Sequence, residues 1–224
     1  MTTRNRERPM NDLNRFCRTI CIVVALAAVA ACSLPGSSRN TAKQLYVLQG
    51  REISSPVSIP VVQPCLALRV NTPGSSAGLN TARMAYSTEP NQLDYFAYHE
   101  WVAPPAKMIA AMIETRLETS ALFGLVISGS PDIRTDLRLD SELQVLQQDF
   151  AGNSSTVKFA MRVNLVDVAS RTLIGSKTFS YRESTEDENA ESGVAAANRV
   201  ADRFLDELVT FVRASTANLE CPKQ

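Results

Sequence analysis

Few side chains in this sequence could carry out chemistry, and histidine is the scarcest of them. His99 is the only histidine among 224 residues, so a serine or cysteine nucleophile would have to use it as its base. The pair His99-Glu100 begins like a zinc-binding helix, but the second histidine of that motif is replaced by Ala103. The favoured interpretation is a histidine on a strand or at the surface.

Three aspartates, Asp132, Asp136 and Asp140, are four residues apart and could be considered a carboxylate cluster. On a strand each step would separate them by about 13 Å, which is too far for shared metal or acid–base work. The sequence contains no glycine-rich phosphate loop, no Gly-x-Ser-x-Gly and no Cys-x-x-Cys motif. We therefore predict no catalytic residues, no cofactor or metal ligands, and no enzymatic activity.

Residues 1–31 have the composition of an export signal. Five arginines precede an apolar run from Ile20 to Ala31, which is shorter than the roughly 20 residues that span a membrane. The run ends in Val29-Ala30-Ala31-Cys32, which is similar to the bacterial lipobox. We expect cleavage before Cys32 and attachment of fatty acyl chains such as palmitate to this residue. The alternative is an ordinary signal peptide followed by an incidental cysteine.

The residue after Cys32 indicates whether the lipoprotein is anchored in the inner or the outer membrane. Ser33 stands where an aspartate would tend to retain a bacterial lipoprotein in the inner membrane. We therefore expect lipid anchoring at the periplasmic face of the outer membrane of a Gram-negative bacterium, with residues 32–42 as a flexible tether.

Charge and cysteine content agree with an exported protein. Beyond residue 31 the chain has 18 basic and 21 acidic residues, so it offers no general attraction for nucleic acid. Of five cysteines, Cys17 and Cys21 leave with the signal. Because Cys32 would carry the lipid, Cys65 and Cys221 remain, and we predict that they form a disulfide in the oxidising periplasm. Two unpaired thiols are the alternative.

Periodicity predicts one α+β domain over residues 43–224. Helices are expected near 104–120, starting at Pro104-Pro105, and near 188–213, after the capping-box sequence at 185–188. Period-two alternation over 136–181 predicts a three-stranded antiparallel meander. Further strands are expected at 43–48, 57–62, 66–70, 83–87, 94–101 and 122–127. Together these elements predict a mixed, mainly antiparallel sheet with two amphipathic helices packed on one side.

Several of these segments resemble a known family. The segments Arg83-Met84-Ala85-Tyr86 and Leu93 to Tyr98, then Trp101, Pro104-Pro105 and Leu122-Phe123, are similar to the ABC-type transport auxiliary lipoproteins. The resemblance covers about residues 43–213. It implies partnership with a mammalian cell entry (MCE) domain protein, an inner-membrane permease and its ATPase in lipid traffic between the two membranes.

Two other functions stay open, together with the position of the contact surface. An outer-membrane assembly or Tol-type scaffold lipoprotein could use a similar domain, and a periplasmic hydrolase is disfavoured by the missing catalytic set. Tyr95, Tyr98 and Trp101 are candidates for contact with a partner or an acyl chain, although core packing is the favoured use of these aromatics. A homo-oligomer is compatible with the sequence.

Overall fold

The computed structural model of the protein describes residues 42–51, 62–129, 132–152 and 154–220. The strands described are β1 (Gln44–Tyr46), β2 (Gln63–Val70), β3 (Gly74–Ser75), β4 (Arg83–Ser87), β5 (Asp94–Trp101), β6 (Phe123–Ser128), β7 (Leu137–Asp149), β8 (Thr156–Asp167) and β9 (Thr172–Ser184). The helices are α1 (Pro105–Thr119) and α2 (Ala190–Thr216). The predicted strand at 57–62 lies outside the described residues, except for Val62.

The long strand β7 is the spine of one mixed sheet. One edge of β7 pairs along its length with β8, and β8 pairs with β9, both antiparallel. This is the meander that the alternation predicts. The other edge of β7 is shared by three short strands, all parallel to it: β2 at its start, β3 in its middle and β4 at its end.

Two wings extend from this shared edge. Beyond β2 lies β6, parallel to it. Beyond β4 lies β5, antiparallel to it, and beyond β5 lies β1. We call β4, β5 and β1 the aromatic wing, and β1 is its last described strand. The predicted mixed sheet is confirmed, and its longest pairings are antiparallel.

Both helices cover the same side of the sheet. Helix α1 begins after Pro104 with Pro105 in its first turn, as the double proline predicts. Its Arg116 lies 3.5 Å from Asp202 of α2, so the two helices contact each other. Phe204 of α2 packs on Phe159 and Phe179 of the meander, with ring centroids 5.4 and 5.1 Å apart. The one-sided α+β architecture is therefore as predicted.

The start of α2 differs from the capping box expected at 185–188. Asn189 is the N-cap, and its side chain accepts a hydrogen bond from the Ser192 N–H at 2.8 Å. Thr185 is not available for capping because its hydroxyl and N–H both bind Ser155 at the end of the β8–β9 pair. The contact of Thr185 with Ser155 thus accompanies a helix start at Asn189, beyond the capping-box sequence at 185–188.

Candidate functional site

The outer face of the aromatic wing carries a group of exposed apolar side chains. The register pairs Leu45 of β1 with Glu100 of β5, and side chains at paired positions share a face of the sheet. Tyr98 and Val102 lie two residues to either side of Glu100, and Val47 lies beside Val102 because Val102 N–H donates to the Tyr46 carbonyl at 2.8 Å. The exposed fractions are 61% for Leu45, 47% for Val47, 51% for Tyr98 and 50% for Val102. We call these four residues the wing patch.

Charged residues lie within and beside the patch. Lys43 forms an ion pair with Glu100, so the carboxylate in the middle of the patch is neutralised. Arg83 pairs in register with Glu100 from the β4 side, and its guanidinium carbon lies 3.8 Å from the centroid of the Tyr95 ring. Two cations therefore surround one anion, and the wing face has a small positive excess.

The three aromatic candidates occupy three different environments. Tyr98 is exposed in the wing patch. Tyr95 is half-buried beneath Arg83, and its hydroxyl donates to the Gly78 carbonyl at 3.0 Å. Trp101 belongs to the core at 5% exposure, which is the packing role that the sequence favoured. Of the three, only Tyr98 offers a broad surface for contact.

A bulge in β5 separates these environments. The register between β4 and β5 shifts between the pairs Arg83–Glu100 and Ala85–Tyr95, leaving extra residues on β5. Phe96 and His99 then contact each other on the helix side, with ring centroids 5.7 Å apart, whereas Tyr98 points outward. A bulge redirects side chains that strict alternation would place elsewhere.

The helix side of the wing has a polar cluster that joins three elements. The Tyr46 hydroxyl lies 2.7 Å from a Glu191 carboxylate oxygen and 3.1 Å from His99 Nδ1. Burial, followed by the hydrogen bond to Glu191, raises the pKa of Tyr46 to about 12. The hydrogen bond from Tyr46, with a second from its own N–H, lowers the pKa of Glu191. The only histidine thus lies in a structural cluster that ties the aromatic wing to the first turn of α2.

An apolar groove adjoins the patch at Val47. It has a volume of about 410 Å³ and lies between the segment Val47–Arg51 and helix α1, where Met108, Ala111 and Met112 line it. Leu205 of α2 closes one side. The segment itself is tied to α2, because the N–H groups of Gln49 and Arg51 donate to Asn198 and Asp202.

The structure describes only some of the remaining predicted site residues. Cys32 and Cys221 lie outside the described residues, so acylation and the pairing of Cys65 with Cys221 stay predictions. In the described part of the chain, no three His, Cys, Asp or Glu side chains form a group that could hold a metal ion. Among the described helices, none combines the length and the apolar character needed to span a membrane.

Sequence reasoning found Tyr98 but missed Leu45, Val47 and Val102. The signal was present in Leu45–Leu48, four consecutive residues that are apolar or aromatic although the strand was expected to be short. Such a run leaves large side chains on both faces of a strand, and only one face of β1 is covered by the helices. The position of β1 at the end of the wing could not be read from this run.

The fold and this surface together define a small α+β domain with an exposed apolar face on the wing of the sheet that ends in β1. The model of the family described as ABC-type transport auxiliary lipoprotein component matches residues 46–209, and the chain belongs to this family. The family places it among membrane-associated periplasmic lipoproteins that act with ABC transporters.

Solved structures show the same fold at low sequence identity. The crystal structure of protein XCC0632 from Xanthomonas campestris is similar with a TM-score of 0.68 at 18% identity, over 78% of this chain and 97% of that one. The crystal structure of an uncharacterized protein is similar with a TM-score of 0.60 at 13% identity, over 76% of this chain and 99% of that one. No curated protein sequence matches the chain significantly.

Proposed function

We propose that the protein is an outer-membrane-anchored accessory subunit of an MCE-type ABC transporter that moves lipids between the inner and outer membranes. It binds its partners, which are the MCE-domain protein and, through it, the permease and ATPase, and it catalyses no reaction itself. The observation that carries this proposal is the family match over residues 46–209, which reaches from the end of β1 through all of α1 and into most of α2.

Two features of the chain support the position of the domain. The sequence Val29-Ala30-Ala31-Cys32 predicts acylation at Cys32, and Ser33 favours the outer membrane. The wing patch supports a binding role, because contiguous exposed apolar residues next to polar ones are typical of interaction surfaces. The experiments below separate a protein partner from the lipid bilayer as its occupant.

Co-purification from native membranes tests the proposal. The tagged wild-type protein is expected to fractionate with the outer membrane and to bring down an MCE-domain protein encoded beside it. Cys32→Ala is expected to release the protein from the membrane. Cys17→Ala, a cysteine within the predicted signal, serves as the matched control and should leave acylation intact.

The results separate the competing functions. A wild-type protein that fractionates with the outer membrane but captures no MCE-domain protein, in a strain that expresses one from the same locus, would contradict the transport role. Capture of outer-membrane assembly or Tol components instead would favour the scaffold alternative. Fractionation of the wild type with the inner membrane would contradict the outer-membrane anchor alone.

A further inference from the structure

We propose that the wing patch contacts the surface of the lipid bilayer in which the protein is anchored, so that the aromatic wing faces the membrane. This inference rests on the lipid anchor of the proposed function and specifies the occupant of the patch. The patch comprises Leu45, Val47, Tyr98 and Val102, all about half exposed or more.

Chain length is the first argument. Only eleven peptide steps separate the predicted acylated Cys32 from Lys43, and a fully extended chain of this length reaches about 40 Å. Strand β1 is therefore the described element that the anchor keeps nearest to the bilayer along the chain. A short tether raises the effective concentration of a nearby surface to the millimolar range. At this effective concentration the bilayer occupies the wing patch even if the patch is too weak to bind membranes from solution.

The chemistry of the patch is the second argument. Tyrosine and aliphatic side chains suit the boundary between headgroups and acyl chains, where a ring can bury its apolar body and keep its hydroxyl hydrated. The patch extends about 13 Å from Tyr98 in β5 to Val102, which directly follows this strand. This size fits a shallow contact with the bilayer surface.

Charge complementarity is the third argument. An unpaired carboxylate would oppose contact with anionic headgroups, but Glu100 in the middle of the patch is paired with Lys43. Arg83 lies on the neighbouring strand in register with Glu100. The resulting positive excess favours phosphate-bearing headgroups.

Hydrogen exchange of the mature, acylated protein in lipid nanodiscs tests this inference. The nanodiscs contain phosphatidylethanolamine and phosphatidylglycerol and no partner protein. The reference is the unacylated Cys32→Ala chain in solution. We expect the amides of 44–47 and 97–102 to exchange more slowly in nanodiscs, by about tenfold for a contact occupied nine-tenths of the time.

Two charge insertions give the matched comparison. Leu45→Glu should abolish the protection, since it places a carboxylate in the patch. Leu173→Glu changes another leucine, 59% exposed on β9, and should leave the protection unchanged. Both variants should melt like the wild type, because both substitutions replace exposed side chains.

Other outcomes overturn the inference in distinguishable ways. If Cys32 is acylated and the protein stays in the nanodisc but the wing exchanges as in solution, the membrane contact is wrong and the anchor stands. Protection that arises only on addition of an MCE-domain protein would assign the patch to a protein partner. Loss of protein from the nanodisc because Cys32 carries no acyl chain would contradict both this inference and the proposed anchor.

Discussion

The hydroxyl of Tyr46 lies 2.7 Å from the carboxylate of Glu191, although 145 residues separate them in the sequence. This hydrogen bond joins β1 to the first turn of α2, and His99 of β5 lies 3.1 Å from the same hydroxyl. The edge strand of the aromatic wing is thereby held to the helical layer by Tyr46, whose neighbour Leu45 on β1 is exposed on the outer face.

The first prediction concerns this contact. Tyr46→Phe keeps the ring but removes the hydroxyl, and should lower the free energy of unfolding by about 1 kcal/mol, since the hydrogen bond is only partly shielded from water. Urea denaturation measures the change. Tyr98→Phe removes a hydroxyl from the exposed wing patch and should have little effect. An equal loss from both variants would contradict a structural role for the Tyr46–Glu191 hydrogen bond.

The second prediction separates Trp101 from Tyr98. Trp101→Ala removes a core side chain and should destabilise the domain by about 3–5 kcal/mol. Tyr98→Ala removes an exposed ring and should change stability by less than about 0.5 kcal/mol. Thermal unfolding measures both. If the order were reversed, Trp101 would not be a core residue. Loss of partner binding in the Trp101 variant would therefore indicate impaired folding. Loss of binding in the Tyr98 variant would indicate that the exposed ring contacts the partner.

The third prediction is a pH dependence centred on Asp149. This carboxylate is buried, which by itself would raise its pKa, but the Lys158 ammonium, the Ala151 N–H and the Ser87 hydroxyl together hold the pKa below the ordinary value of 3.8. Its stabilising contribution is therefore complete above pH 3.8 and is lost as the pH falls through the lowered folded-state pKa.

Asp149→Asn should accordingly destabilise the protein by about 2 kcal/mol at neutral pH, and the difference from wild type should shrink below pH 3.8. Urea titrations at a series of pH values give the measurement. Lys177→Gln, which breaks the exposed pair with Glu207 at 3.2 Å, should cost less than about 0.5 kcal/mol. A difference that does not vary with pH would exclude Asp149 ionisation as its source.

The fourth prediction concerns the close approach of α2 to the sheet. A Cβ added at Gly193 would lie 2.2 Å from Oε1 of the buried Gln148, whereas one added at Gly74 would meet nothing closer than 3.8 Å. Gly193→Ala should lower stability by about 1–3 kcal/mol through overpacking, and Gly74→Ala should be tolerated much better. Equal melting temperatures for the two variants would show that the Gln148 side chain or the helix can shift at little cost.

The fifth prediction concerns Cys65 and Cys221. In protein isolated from the periplasm without reductant, mass spectrometry should find neither thiol open to alkylation and a peptide pair linked through these two residues. Cys65→Ser should then lower stability by about 2–5 kcal/mol, because the bond closes a long loop of the unfolded chain. Recovery of two alkylated cysteines from the untreated protein would contradict the disulfide.

Local patterns in the sequence were sufficient for most elements of the fold. The double proline Pro104-Pro105, the period-two alternation of the meander and the apolar stripes of both helices each depend on neighbours within a few residues. All three appear in the structure near the predicted bounds. The lipobox at Cys32 is equally local, and its role stays a prediction.

Only the tertiary structure shows the properties that depend on pairing between strands distant in sequence. The alternation of β7 could not show that three short strands share its edge, because parallel pairing leaves no local trace. The same limit hid the wing patch, because Leu45 and Val102 come together only through the pairing of β1 with β5. Spacing along the chain determines which faces of an element are apolar, whereas the partners of that element decide which of those faces stays exposed.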